Sequence, residues 1–332
     1  MVSKLLKRVP LEQLMDLKID YAFKQLFGTE KNKEITVVFL NAVLNRNGHE
    51  SIRDLSFTST EAGGEYEEDK QSRLDILAVT NDDKRINIEI QFTNQYDMIK
   101  RSIYYWAGIY RRPMKKRMAY RELYPVIAIN ILNFNLFQDT KRFHTSYHLY
   151  EDQDFFLLTD VMEFHFLEMP KMISDWKQNL LDPWNDLLAR WMLLLGIVDH
   201  RNGKVYEDIY HELEAIAMKD PTLKQAFQGW DILSATEEEI WAYESRLKQV
   251  LDAEAAKREA ELSEKEAVEK AVKEGLERGI QQGLQQGIEE GRRNEKIEMV
   301  KRMLQKGMET ETIADIIGLE VTEIRRIKKE LE

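Results

Sequence analysis

Between Arg73 and Gln91 the chain reads RLDILAVTNDDKRINIEIQ, and no other stretch limits its fold so tightly. Ile86, Ile88 and Ile90 alternate with Asn87, Glu89 and Gln91, the period of a β-strand. Side chains two apart on a strand share a face, so the isoleucines are expected to face a core and the polar trio a cleft. Residues 71–80 are expected to form the partner strand, with Asn81-Asp82-Asp83 as the hairpin turn. That hairpin brings Asp75 across from Glu89. Two carboxylates and an amide then meet on neighbouring strands, and such hard oxygen donors suit Mg2+, or Mn2+, with the Ile90 carbonyl as a further ligand.

Around this pair the periodicity changes repeatedly. Residues 14–27 read as a helix with Leu14, Leu17, Tyr21 and Lys24 on one side and Ile19, Phe23 and Phe27 close by. A second helix is expected over about 32–45 and a strand over 52–60. A long helix over about 94–112 would carry Ile99, Ile103, Trp106 and Tyr110 as its apolar stripe and close at Pro113. YPVIAINI at 124–131 has the nearly continuous apolar character of a buried central strand. Further strands are expected at 143–149 and 161–167, and a more helical region opens at Asp182-Pro183-Trp184.

Composition narrows the class. Hydrophobic residues make up 43% of the 332, enough for a substantial core, and cysteine is absent, which excludes disulfides and cysteine-ligated zinc. The longest apolar run, Trp191 to Leu195 with Gly196 to Val198 behind it, is too short to span a bilayer. A cytoplasmic protein without a membrane partner is expected. A net charge of −11 is unusual for a nonspecific nucleic-acid binder. It remains compatible with a carboxylate site whose metal supplies positive charge.

The C-terminal third differs in kind. Residues 234–306 read as one very long helical sequence, charged and solvated in its first half. Gly275, Gly279, Gly283, Gly287 and Gly291 then recur every four residues beside Leu276, Ile280, Leu284 and Ile288. A glycine costs about 1 kcal/mol in an exposed helix, so the repeat is expected to be an oligomerisation face, a homodimer being favoured over a flexible tail. The expected organisation is a core over 1–180, a helical region over 181–243, this arm over 244–306, and a small helical unit over 307–332.

Several stretches together resemble one family: DLKIDYAFKQLFG at 16–28, VVFLNAVL at 37–44, RLDILA at 73–78, INIEIQ at 86–91 and RSIYYWAGIY at 101–110. As a set they resemble the Rpn-type recombination-promoting nuclease/transposase family, within the PD-(D/E)XK nuclease superfamily. The resemblance implies an α/β fold with a restriction-endonuclease-like core, a mixed sheet flanked by helices, and here a long helical C-terminal extension. It also implies magnesium-dependent DNA endonucleolysis, with a link to recombination. By resemblance Asp75 takes the motif aspartate, Glu89 the second acidic position and Asp20 the helix-borne acid. Gln91 falls where the superfamily usually has lysine, so a positively charged catalytic helper is missing from that strand. The competing functions are a noncatalytic DNA-binding or regulatory protein on a degenerate nuclease fold, and an RNA-directed nuclease.

Basic residues are locally concentrated despite the acidic total. From Lys100 to Arg121 there are eight Lys or Arg and no acid, among them Lys100, Arg101, Arg111, Arg112, Lys115, Lys116 and Arg117. They are expected to grip phosphates, with Arg101, ten residues after Gln91, facing the site. The bland alternative is a solvated basic surface. Glu65, Glu67, Glu68 and Asp69 read chiefly as a solvated loop. Histidines 49, 144, 148, 165, 200 and 211 show no persuasive ligand spacing.

Overall fold

The computed structural model describes residues 5–58, 61–62, 72–94 and 97–331, so the acidic run at 65–69 lies outside the described residues, as do Ser59, Thr60 and Gln71 of the expected strands. The chain divides into two compact units, Met1–Lys257 and Arg258–Glu332.

The first unit runs α1 (Asp20–Phe27), α2 (Lys33–Val43), β1 (Leu55–Phe57), β2 (Glu61–Ala62), β3 (Ser72–Arg73), β4 (Ile76–Thr80), β5 (Arg85–Gln91), α3 (Met98–Arg111), β6 (Val126–Leu132), β7 (His144–Tyr150) and β8 (Leu157–Glu168). It continues with α4 (Met169–Lys177), α5 (Leu187–Gly196), β9 (Val198–Asp199), β10 (Lys204–Val205), α6 (Glu207–Ala217) and α7 (Pro221–Leu233), then enters α8 (Glu237–Gln305). Six strands form one mixed sheet in the order β1-β4-β5-β6-β8-β7. β5, β6 and β8 are parallel neighbours, while β1, β4 and β7 join antiparallel. The α/β core and the long helical extension expected from the sequence are both present.

Each face of the sheet is covered, which explains the apolar β6, buried along its whole length. On one side Ile86, Ile88 and Ile90 pack into the larger core with α1, α2 and α5–α7, centred on Phe23, Phe27, Phe39 and Trp191. On the other, α3 lays Met98, Trp106 and Ile109 over Leu77, Val126, Ala128 and Phe164. Of the polar trio expected to face a cleft, Gln91 lines one, whereas Asn87 and Glu89 are covered. Both are 1% exposed, because α3 crosses their side of β5.

Two helices differ from expectation. The helix expected over 14–27 begins only at Asp20. Its first half is held irregular by distant groups: the Met15 N–H donates to Ser234 Oγ (3.1 Å) and the Asp16 N–H to Tyr243 Oη (2.9 Å), while Asp16 Oδ1 accepts the Lys18 N–H (2.9 Å). Amides so engaged do not enter an α-helical ladder. In α3 the buried row is Met98, Ser102, Trp106 and Ile109, whereas Ile99 and Ile103 are 42% and 46% exposed. Ser102 faces inward because its hydroxyl accepts from the buried Asn130 amide at 2.9 Å.

In the second unit, Val300 of α8 packs with Ile313 of α9 (Thr310–Ile317) and with Ile324 and Ile327 of α10 (Val321–Leu331). Among the described residues, no helix is long and apolar enough to cross a membrane.

Candidate active site

The β4–β5 register pairs Ile76 with Ile88, which sets Asp75 opposite Glu89. The strand expected over 71–80 is interrupted there. Leu74 and Ile76, two apart, pack into opposite cores, so side-chain parity changes at Asp75. Asp75 thereby turns its carboxylate along the sheet: Oδ2 accepts the Ile90 N–H at 2.8 Å, and the Asp75 N–H donates to Glu89 Oε1 at 3.3 Å. Both acids are buried. Burial and the neighbouring Asp75 charge push Glu89 up to about 8, despite Arg101. Burial likewise raises Asp75, against the opposing pull of Lys24.

Three cations surround these acids. Lys24 Nζ on α1 lies 2.9 Å from Asp75 Oδ1. Arg101 on α3 reaches Glu89 Oε2 at 3.7 Å, donates to Gln91 Oε1 at 3.0 Å, and is steadied by the Tyr105 hydroxyl at 3.0 Å. With its oxygen engaged, Gln91 directs its amide nitrogen toward Glu89 Oε2, 3.5 Å away. Arg246, early in α8, donates from Nε to both Asp20 oxygens, at 2.8 and 3.0 Å.

Asp20, Lys24, Asp75, Ile90, Gln91, Arg101 and Arg246 line one cleft of about 530 Å³. Glu89 lies just beneath it, behind Asp75. Asp20 and Lys24 share a face of α1 because they are four apart, while Phe23 and Phe27, on the adjoining stripe, anchor the helix in the core. α8 is held beside the cleft by the Tyr243 hydroxyl, which meets His200 Nδ1 at 2.7 Å, and by an Arg201–Glu254 pair at 3.1 Å.

Among the described residues no group of three or more His, Asp or Glu is arranged as a metal site. Asp75 and Glu89 are two carboxylates, and their oxygens all face protein donors. The donor set nevertheless fits magnesium, which takes one or two carboxylates and keeps several waters. Two adjacent buried carboxylates with upward-shifted proton affinities are also a pair that a divalent charge would relieve.

The other sequence-based candidates fall outside this cleft. Lys100 is exposed and pairs with Asp97 at 3.0 Å. Arg111, at the far end of α3 and roughly 15 Å along the helix from Arg101, and Arg112, Lys115, Lys116 and Arg117 just past that end are all exposed. Gly275, Gly279, Gly283, Gly287 and Gly291 lie along the second unit's part of α8, with open space where a Cβ would stand. His144 and His148 do share an environment, through His165 (2.9 Å from His144) and Glu163 (3.8 Å from His148). Sequence reasoning placed Lys24 only as a helix-side residue and missed Arg246. The Asp20–Lys24 spacing was a usable local signal, whereas nothing local marks Arg246.

No curated protein and no solved structure matches the chain. Residues 17–260 match the family described as PD-(D/E)XK nuclease family transposase, a likeness at the level of that superfamily and not of the Rpn-type group within it. The match spans the sheet, the cleft and the start of α8, and the chain belongs to the PD-(D/E)XK nuclease/transposase family.

Proposed function

We propose that the protein is a metal-dependent DNA endonuclease of the Rpn type, acting with little sequence specificity and as a homodimer. The observation that carries this reading is the pairing of buried Asp75 and Glu89 beneath a cleft walled by Lys24, Arg101 and Arg246. Asp75, Glu89 and the Ile90 carbonyl would hold Mg2+ or Mn2+. When bound, the ion supplies Lewis-acid polarisation of the phosphate and a water acidified toward neutrality. Gln91, fixed by Arg101, presents N–H donors to a phosphate oxygen. Asp20, fixed by Arg246, is the acid placed to hydrogen-bond water in the cleft. Arg101 holds Gln91 and Glu89 in place beside the phosphate, and the basic surface from Arg111 to Arg117 would take flanking DNA. A homodimer would bring two such sites to two strands.

The second reading is a noncatalytic DNA-binding or regulatory protein. It is favoured by one observation, the engagement of the carboxylate oxygens by protein donors. Incubating supercoiled plasmid with the purified protein in Mg2+, Mn2+ or EDTA separates the two readings. Metal-dependent nicking lost in folded Asp75→Ala and Glu89→Ala proteins is expected. Cleavage no greater than that of the variants, on DNA and on matched RNA, would sink the nuclease reading.

A further inference from the structure

Phosphodiester hydrolysis gathers negative charge on the non-bridging phosphate oxygens. A site must meet it with positive charge held at the reacting atoms. Gln91 is neutral, so the charge has to come from elsewhere in the cleft. Two of the cleft's cations are already committed. Arg246 gives its Nε–H to both Asp20 oxygens and an Nη1–H to Gln249, and Arg101 is shared among Gln91, Tyr105 and Glu89. A third, Lys18, is 3% exposed and bound to Asp16 at 2.8 Å.

Lys24 differs in its partner. Its ion pair is with the buried Asp75 itself, 2.9 Å away, and its side chain keeps 31% exposure, whereas Arg246, at 44%, stands on Asp20. An ammonium has three N–H donors on a flexible stem. The one directed at Asp75 keeps it at the reaction centre, and the others remain for a substrate. Its placement is also built into the packing. Asp20 and Lys24 of α1 and its C-cap Gly28 follow one another at intervals of four, and Gly28 sits so close to Ile76 that a Cβ there would be 3.1 Å from its Cγ1. The helix is thereby pressed onto the residue next to Asp75.

We propose that Lys24 is a catalytic residue, delivering from α1 the side-chain positive charge that Gln91 does not carry. This rests on the nuclease reading above. In the metal-free protein Lys24 neutralises Asp75. With substrate present its ammonium donates to a non-bridging oxygen of the scissile phosphate. As the water oxygen bonds to phosphorus, the bond to the leaving oxygen breaks, the water's proton passes to solvent, and the leaving oxygen takes one from solvent. Lys24 transfers no proton and serves only to stabilise charge.

The test compares wild type, Lys24→Met, Lys24→Arg and Asp75→Asn, each checked for folding by circular dichroism and thermal melting. Mn2+ binding is titrated calorimetrically without DNA, and single-turnover plasmid nicking is timed at saturating Mn2+. Lys24→Met is expected to bind Mn2+ as tightly as wild type or more so, since a competing cation has left Asp75. Its nicking rate is expected to fall about 10²–10³-fold, the usual loss for one transition-state donor. Lys24→Arg is expected to recover part of that rate. Nicking by Lys24→Met at the wild-type rate would overturn the proposal. So would loss of Mn2+ binding in step with nicking, which would make Lys24 a support for Asp75 alone. An inert wild type would overturn the nuclease reading itself and Lys24's role with it, a result distinguishable from the other two.

Discussion

Arg246 grips Asp20 across 226 residues of sequence, with Nε 2.8 and 3.0 Å from its two carboxylate oxygens. The contact makes the first turns of α8 a wall of the cleft. The pair is partly exposed, at 44% and 20% of the side chains, so its contribution to stability is expected to be small. Arg246→Gln should change the unfolding free energy by no more than about 1 kcal/mol. Its effect on the cleft should be larger. Freeing Asp20 adds an uncompensated carboxylate, so divalent-ion affinity should rise. Removing one cation should reduce the slope of log K against log salt for DNA binding by about one. Calorimetric Mn2+ titration and salt-dependent plasmid binding check both directions.

The Asp75–Glu89 pair predicts how the metal-free protein responds to pH. Glu89, raised to about 8, binds its proton more tightly folded than unfolded, where the ordinary value is 4.5. Between those values the folded state holds the extra proton, so stability should fall as pH rises through this window. A divalent ion needs the ionised acid, so its binding should release protons and its stabilising effect should be greater at pH 8.5 than at pH 6, on the order of the shift in charge state. Thermal melts at the two pH values, with and without Mg2+, measure this. Glu89→Gln should flatten both trends. A wild type whose stability rises across the same window would show that Glu89 is ionised when folded.

Gly28 is needed for space, not for an unusual backbone angle, since its φ is −107°. A Cβ there would lie 2.8 Å from the Lys24 carbonyl oxygen and 3.1 Å from Ile76 Cγ1. Gly28→Ala should therefore destabilise by about 1–3 kcal/mol and displace Lys24 from Asp75, lowering nicking as well. Gly108→Ala in α3, where a Cβ meets open space, should instead be neutral or stabilise by up to about 1 kcal/mol. Denaturant melts of the two variants give the comparison.

The carboxylates were legible because a strand's period of two is a local property: Ile86, Ile88 and Ile90 marked out the face of Glu89 and Gln91 without any tertiary knowledge. The burial of that face was not legible, since it depends on where α3 crosses the sheet. The break at Asp75 was hidden because Leu74, Ile76 and Leu77 read as one apolar run, although they divide between two cores. The late start of α1 was hidden for a related reason. The N–H groups of Met15 and Asp16 ahead of it are taken by Ser234 and Tyr243, more than 200 residues away. Arg246 belongs to the same class: charged residues are frequent along α8, and only the fold selects the one that meets Asp20.

The five glycines of α8 give a prediction whose sign separates a partnered arm from a solitary one. In a single chain each would accept a Cβ without contact. An unpartnered helix should then gain about 0.8–1 kcal/mol from each Gly→Ala change, with no change in mass. Leu276, Ile280, Leu284 and Ile288 run beside them and are 48–65% exposed, a stripe that a second copy would cover. If two arms pack through the glycines, added methyl groups hold the backbones apart and weaken association. We expect the second outcome. Wild type should have a dimer's mass by light scattering at micromolar concentration, and Gly279→Leu with Gly283→Leu should shift it to monomer while the first unit keeps its melting temperature. A monomeric wild type that is stabilised by Gly279→Ala would show that the repeat serves no self-association.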